Sequence, residues 1–206
     1  MTVGARGYGR PVGPRQNRVT PTGDIVAIPL RGSWMGNRGI LHDDTGHVVR
    51  NHASSLWITC ALSFRGWRAF QWQPHHYTVL FFHDEAVSLA AGHRPCALCR
   101  RADYVRYRDA IAATGADAID LRLHRDRLDG RTKRTHRRPW RALPAGVFVE
   151  VDGAPALVRP HDLVPWSADS GYGLSRSRPT HGDAIVLTPA TSVDGIAAGY
   201  PVQFAG

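Results

Sequence analysis

The run FFHDEAVSLAAGHRPCALCRRAD, residues Phe81 to Asp103, decides how the rest of the chain is read. Cys96 and Cys99 form a C-x-x-C pair in it, and the only other cysteine among 206 residues is Cys60. A C-x-x-C turn aims two sulfurs at one point, the geometry of thiolates about 2.3 Å from a tetrahedral zinc. Arg94, Arg100 and Arg101 flank the pair and favour thiolate over thiol. The alternative, a redox pair, belongs in a thioredoxin-like βαβ pattern that this chain lacks. Zinc on Cys96 and Cys99, with Cys60 as third ligand, is therefore the expectation. A closed site needs a fourth donor, and with no cysteine left a histidine is expected. His42, on a strand just upstream of the Cys60 strand, is chosen, with His93 next and His75, His76 and His83 beside the neighbouring strand. If no residue fills that position, water would, and the site would be of the catalytic kind.

Working outward, Asp84 or Glu85 starts a short helix that Gly92 stops. A longer helix follows Cys99, with Leu98, Ala102, Val105 and Ala112 as its expected apolar stripe and Gly115 as its end. A second helical run spans Ala116 to Leu128. Upstream, Leu56 to Phe64 reads as a strand with Ile58, Cys60, Leu62 and Phe64 on one face. Tyr77 to Phe82 reads as its partner, Asp24 to Leu30 as a short edge strand, and Ile40–His42 with His47–Arg50 as a hairpin. Arg31 to Gly39 (RGSWMGNRG) reads as a glycine-rich loop, without the spacing of a P-loop. From Ala145 the period becomes two: GVFVEV, an Asp152-Gly153 turn and PALVRP make a hairpin, and LVPW, AIVLTP and PVQF add strands. Ser192 to Ala198 reads as one or two helical turns. The expected class is α+β: residues 1–22 a flexible basic tail, 23–143 a zinc module of antiparallel strands and two helices, 144–206 a small β-rich subdomain.

Phe81-Phe82, Glu85, Ala90-Ala91-Gly92, Arg94-Pro95-Cys96 and Cys99-Arg100 occur in the order found in the metal-binding domain of Ada-type methyl-phosphotriester repair proteins. Residues 81–103 resemble that domain. The resemblance implies zinc on Cys96 and Cys99 and a small α+β knuckle near DNA. That family also supplies two upstream cysteines spaced C-x-x-x-C. Here Cys60 stands alone, with Leu56 and Phe64 four residues to either side, so methyl transfer is not carried over. The remainder of the chain resembles a bacterial family to which the resemblance attaches no activity.

Twenty-six basic residues against 17 acidic ones give a net charge of +9, which suits a polyanionic partner. Lys133 is the single lysine, so coding bias explains the choice of arginine but not the excess of base over acid. Gly130 to Arg141 is the densest positive segment, with Arg131, Lys133, Arg134, Arg137, Arg138 and Arg141 around Trp140. A solvated loop is its default reading; the tryptophan favours a surface for phosphates and stacked bases. With Arg100, Arg101, Arg106 and Arg108 on the helix after Cys99, these residues make nucleic acid the expected partner. No apolar run is long enough to span a membrane and the N-terminus lacks a secretory core, so a cytoplasmic, bacterial-style protein is expected.

Catalytic residues are not identified. His124 with Asp126, or His136, is the candidate base of a nuclease-like site, without any accompanying H-N-H or paired-carboxylate pattern. The loop holding Ser167, Ser170 and Tyr172 is not diagnostic. Three functions follow: a zinc protein that binds nucleic acid, a metal-dependent nuclease or DNA-repair enzyme, and a protein-interaction module with purely structural zinc.

Overall fold

Helix α1 (Glu85–Ala90) begins where Asp84 accepts a hydrogen bond from the Val87 N–H at 2.9 Å, a side-chain cap on an otherwise orphaned donor. It ends at Gly92, whose φ of +90° suits a residue without a Cβ. All six of its residues are buried, because sheets cover it from both halves of the chain. The computed structural model describes residues 13–67 and 69–205. Among them the architecture is mixed α+β, with four α-helices and a majority of strands.

The first sheet contains β1 (Arg18–Val19), β2 (Ile25–Val26), β3 (Trp34–Asn37), β4 (Ile58–Cys60), β5 (Leu80–Phe82) and β6 (Arg94–Pro95). Their order is β2-β1-β5-β3-β4-β6, with the β1–β5 and β4–β6 pairs parallel. Three expectations are corrected here: β5 is not the partner of β4, because β3 lies between them. The stretch Arg31–Gly39, read as a loop, contributes the central strand β3, paired on both sides. Its glycine is needed for that: a methyl at Gly36 would be driven into the Ile58 carbonyl and against the Phe82 ring. The basic tail lies partly outside the described residues, but from Gly13 onward the chain is placed, and Arg18–Val19 pairs with both β2 and β5. Asn17 and Val19 are buried, so this part is integral to the sheet.

Helices α2 (Arg101–Ala110) and α3 (Ala116–Arg127) follow the C-x-x-C turn. The buried face of α2 is Tyr104 and Tyr107, continued by Ile111, rather than the expected alanine-and-leucine stripe. Leu98 is 71% exposed, and Ala112 lies beyond the helix with a φ of +49°. Aromatic bulk on the opposite face outweighed small apolar residues. In α3, Ile119 and Leu123 point inward at i, i+4 spacing.

The short ladder β7 (Leu128–Asp129) with β8 (Thr132–Lys133) leads into β9 (His136–Pro139). The second sheet adds β10 (Phe148–Val151), β11 (Ala154–Val158), β12 (Asp162–Ser167), β13 (Gly171–Tyr172), β14 (Arg176–Ser177) and β15 (Asp183–Val186). Its order is β13-β12-β11-β10-β15-β9, with β14 also on β12. The β10–β11 hairpin turns at Asp152 and Gly153, both with positive φ as a tight mirror-image turn requires. The basic segment thus supplies an edge strand, where arginines also discourage pairing with another chain. PVQF forms no strand, while α4 (Ala190–Ala197) forms as a two-turn helix.

One core lies between the helices and the second sheet, and another between the two sheets. Leu89, Tyr107, Ile119 and Leu123 pack with Val147, Val149, Val186 and Val193. Val19, Leu80, Phe82 and Val87 pack with Phe148, Leu157, Val164 and Trp166. Residues on both sides of the 143/144 boundary thus contribute to each of these cores.

Candidate metal centre

Strand β4 sets Cys60 opposite Met35 on β3, and β6 runs alongside β4 with Thr59 beside Pro95. The Cys96 N–H donates to the Thr59 carbonyl at 2.9 Å, so the residue after β6 arrives beside the end of β4. The Arg100 N–H then donates to the Cys96 carbonyl at 3.1 Å and closes the C-x-x-C turn. The three sulfurs of Cys60, Cys96 and Cys99 all lie within 4.8 Å of one another. Cys60 and Cys96 are buried and Cys99 half-buried, walled by Met35 and Val79. A pocket of about 370 Å³ shares those two walls and reaches Leu62, Ser63, Gln71 and Phe81.

These sulfurs are positioned to hold a metal ion. Thiolates about 2.3 Å from a tetrahedral ion sit about 3.8 Å apart, so little closure is needed. Hydrogen bonds from Cys60 and then Cys99 hold the Cys96 thiol well below its ordinary range, aided by the backbone N–H groups of Cys99 and Leu98. Donation to Cys96 pushes the Cys60 thiol up in return. One negative charge is thus already favoured at the cluster. Burial, followed by the proximity of Cys60, Cys99 and Cys96, raises the nearby Tyr77 phenol.

The expected fourth donor, His42, is not in the cluster among the described residues. Its Nδ1 meets the Thr78 hydroxyl at 2.6 Å, its Nε2 faces the Gln73 carbonyl at 3.3 Å, and its ring packs edge-on to Trp72. It fastens a loop instead. His93 is fully buried against Trp57 and Phe82, with Nε2 accepting from Arg38 Nε at 3.2 Å. His83 Nδ1 accepts from the Trp166 indole at 3.3 Å, His76 faces its own turn, and His75 is exposed. Among the described residues no fourth His, Cys, Asp or Glu joins the three sulfurs, so a tetrahedral ion held there would take its fourth ligand from another source.

The expected phosphate contacts separate into two groups. Arg100 is buried, ion-paired to Glu85 and Asp103 and stacked 3.9 Å from the Trp34 ring centroid. Glu85 also accepts from the Tyr200 hydroxyl at 2.6 Å and the Gln203 N–H at 2.9 Å. Arg100 is a structural tie, not a surface contact. Trp140 is 8% exposed within the core, so it cannot stack on a base. Arg108 and Arg138 are half-buried and paired with Asp109 and Asp194. Arg101, Arg106, Arg131, Arg134, Arg137 and Arg141 are exposed. Lys133 is half-buried, its ammonium turned inward to the Ala90 carbonyl.

The histidine–carboxylate pairs of a nuclease-like site do not form. His124 Nδ1 faces Arg127, Asp126 accepts from the Thr191 backbone and hydroxyl, and His136 meets the Thr188 carbonyl.

Two arginines that sequence reading passed over, Arg38 and Arg127, are each 1% exposed and stack on Trp57, 4.0 and 3.9 Å from a ring centroid. A signal existed for one of them: Arg127 continues the Ile119, Leu123 spacing and so lies on the buried stripe of α3. Comparison with family models, curated proteins and solved structures finds no match to the chain.

Proposed function

We propose that this protein holds zinc on Cys60, Cys96 and Cys99 and binds nucleic acid through its exposed arginines. The convergence of three sulfurs from segments 36 and 39 positions apart in the chain carries the metal half of this reading. Thiolate donors favour zinc over the hard cations magnesium and calcium. The ion would neutralise the thiolates and pin β4 to the start of α2, as in the Ada-type domain that residues 81–103 resemble. The nucleic-acid half rests on the net charge of +9 and on the exposed Arg101, Arg106, Arg131, Arg134, Arg137 and Arg141, of which Arg106 and Arg134 also face Asp103 and Asp129 at 3.6 and 3.5 Å. A cluster of three rather than four donors favours a second reading, in which a bound ion would act on a ligand rather than only fasten the fold.

Metal analysis of the purified protein tests the first half: about one zinc per chain is expected. For the second, affinity for a duplex and for a single strand is measured from about 50 to 200 mM salt, where several phosphate contacts give a loss of orders of magnitude. Replacing Arg131, Arg134 and Arg137 by glutamine should reduce the log–log salt slope by about 2 to 3. Salt-independent affinity would refute the nucleic-acid reading and favour an interaction module.

A further inference from the structure

A cavity of about 830 Å³ opens between the first sheet and the β7–β8 ladder, and the charged part of its lining is mostly cationic. Arg38, Arg50, His52, Arg127, Arg131 and Lys133 line it, against the single carboxylate of Asp24. Its volume is that of a small-molecule site, well above that of a lone oxyanion.

The inner cations lack counter-charges. Arg38 donates to the Gly23 carbonyl at 2.9 Å, the Asn51 carbonyl at 3.5 Å and His93. Arg127 donates to the Gly92 and Ser55 carbonyls at 3.0 and 2.7 Å and meets His124 at 3.0 Å. Lys133 donates to the Ala90 carbonyl. Every partner is a neutral dipole. Asp24 and Asp120 are felt there, but Asp120 is held by Arg94 and Asp24 accepts from Thr22. Arg38 Nη2 and Arg127 Nε are buried with no hydrogen-bond partner.

Structural clasping of the α1 C-terminus accounts for one bond each from Lys133 and, through Gly92, Arg127. It does not account for three like charges gathered around one hollow with donors unused. Burial pulls Arg38 and Arg127 down to about 9 and Lys133 down to about 7, with mutual repulsion adding to the effect for Arg38 and Lys133. Buried charge of one sign is costly unless an opposite charge meets it.

We propose that this cavity binds the phosphate monoester of a nucleotide-sized ligand, held by Arg38, Arg127 and Lys133 with Arg50 and Arg131 at the rim. Guanidinium groups meet phosphate oxygens two at a time, and the remaining volume takes the body of the ligand. A free mononucleotide and the 5′-phosphorylated end of a strand present the same chemistry. The site does not rest on the surface reading, because internal phosphodiesters suffice for that surface and a terminal monoester is required here.

The test is calorimetric titration and thermal shift at constant ionic strength with AMP, adenosine, and one oligonucleotide carrying either a 5′-phosphate or a 5′-hydroxyl. AMP or the phosphorylated strand should bind and raise the melting temperature, with adenosine and the hydroxyl strand at least about ten-fold weaker, the effect of losing charge-assisted bonds. Preference for AMP identifies a free ligand, and preference for the phosphorylated strand identifies a strand end. Lys133→Gln should weaken binding about ten-fold. Should that variant not fold, Arg50→Gln, on the exposed rim and outside the surface group, should weaken AMP binding several-fold. Equal binding of phosphorylated and unphosphorylated probes, or a rim variant that binds as the parent does, would overturn the proposal while leaving the surface reading standing.

Discussion

Arg94 and Asp120 meet in a buried two-point ion pair, Nε to Oδ1 at 2.8 Å and Nη2 to Oδ2 at 2.7 Å. The pair links β6, two residues before Cys96, to α3. Two parallel bonds fix the orientation of β6 as well as its position.

Asp120→Ala strands the Arg94 guanidinium in a dry site. Removing one partner of a buried pair costs about 3–5 kcal/mol. Urea unfolding should show a loss of that size, accompanied by weaker metal binding as β6 drifts from β4. A loss under about 1 kcal/mol would mean that the pair is hydrated in solution.

Replacing Cys60, Cys96 or Cys99 singly by serine should lower zinc affinity by more than about 100-fold, beyond the effect of a residue that merely supports a ligand. Chelator should lower the melting temperature of the parent protein and leave the variants nearly unchanged. Full zinc retention by Cys60→Ser would separate the strand sulfur from the site. His42→Ala should keep its zinc while loosening the loop around Thr78 and Gln73.

Gly36→Ala should prevent β3 from closing on β4, since the added methyl meets backbone at Ile58 rather than a yielding side chain. The expected penalty exceeds about 4 kcal/mol, among the largest for one substitution. Insoluble expression, or loss of near-ultraviolet ellipticity, would register it. A folded variant with a normal melting temperature would contradict the placement of β3.

Lys133 sits near 7 in the folded protein against an ordinary 10.5, because burial and then Arg38 and Arg127 disfavour its charge, with Asp24 opposing them. Between those two values the unfolded chain carries a proton that the folded chain lacks, so stability rises with pH from about 7 to about 10.5. Below pH 7 both states are protonated and the destabilisation is fully present. Lys133→Met should remove that rise and be relatively more stable at the acid end of the window. Parallel unfolding curves for the two proteins across the window would refute the inward placement of the ammonium.

What the sequence discloses is mostly local chemistry. The Asp84 cap, the Gly92 stop, the Asp152-Gly153 turn and the C-x-x-C turn each carry their own signal within a few residues. Cys60 was placed with the C-x-x-C pair by elimination, since no other cysteine exists. The misplacements share a cause: the deciding partner lies far along the chain. Gly36 looks like loop glycine until Ile58 is laid beside it. Arg100 looks like a phosphate ligand until Glu85 and Trp34 enclose it, and Trp140 looks like a stacking platform until the second sheet buries it. The Arg38–Trp57–Arg127 stack joins three separate segments, which no spacing rule connects.

Helix α1, with all six residues buried, packs against layers from both halves of the polypeptide, so neither half is expected to mature as an autonomous unit. Expression of either half alone would leave greasy surface bare and draw chaperones or aggregate. If an ion is held at β4, its removal should then loosen the distant strands too, and thermal denaturation should register as one collective event rather than two steps.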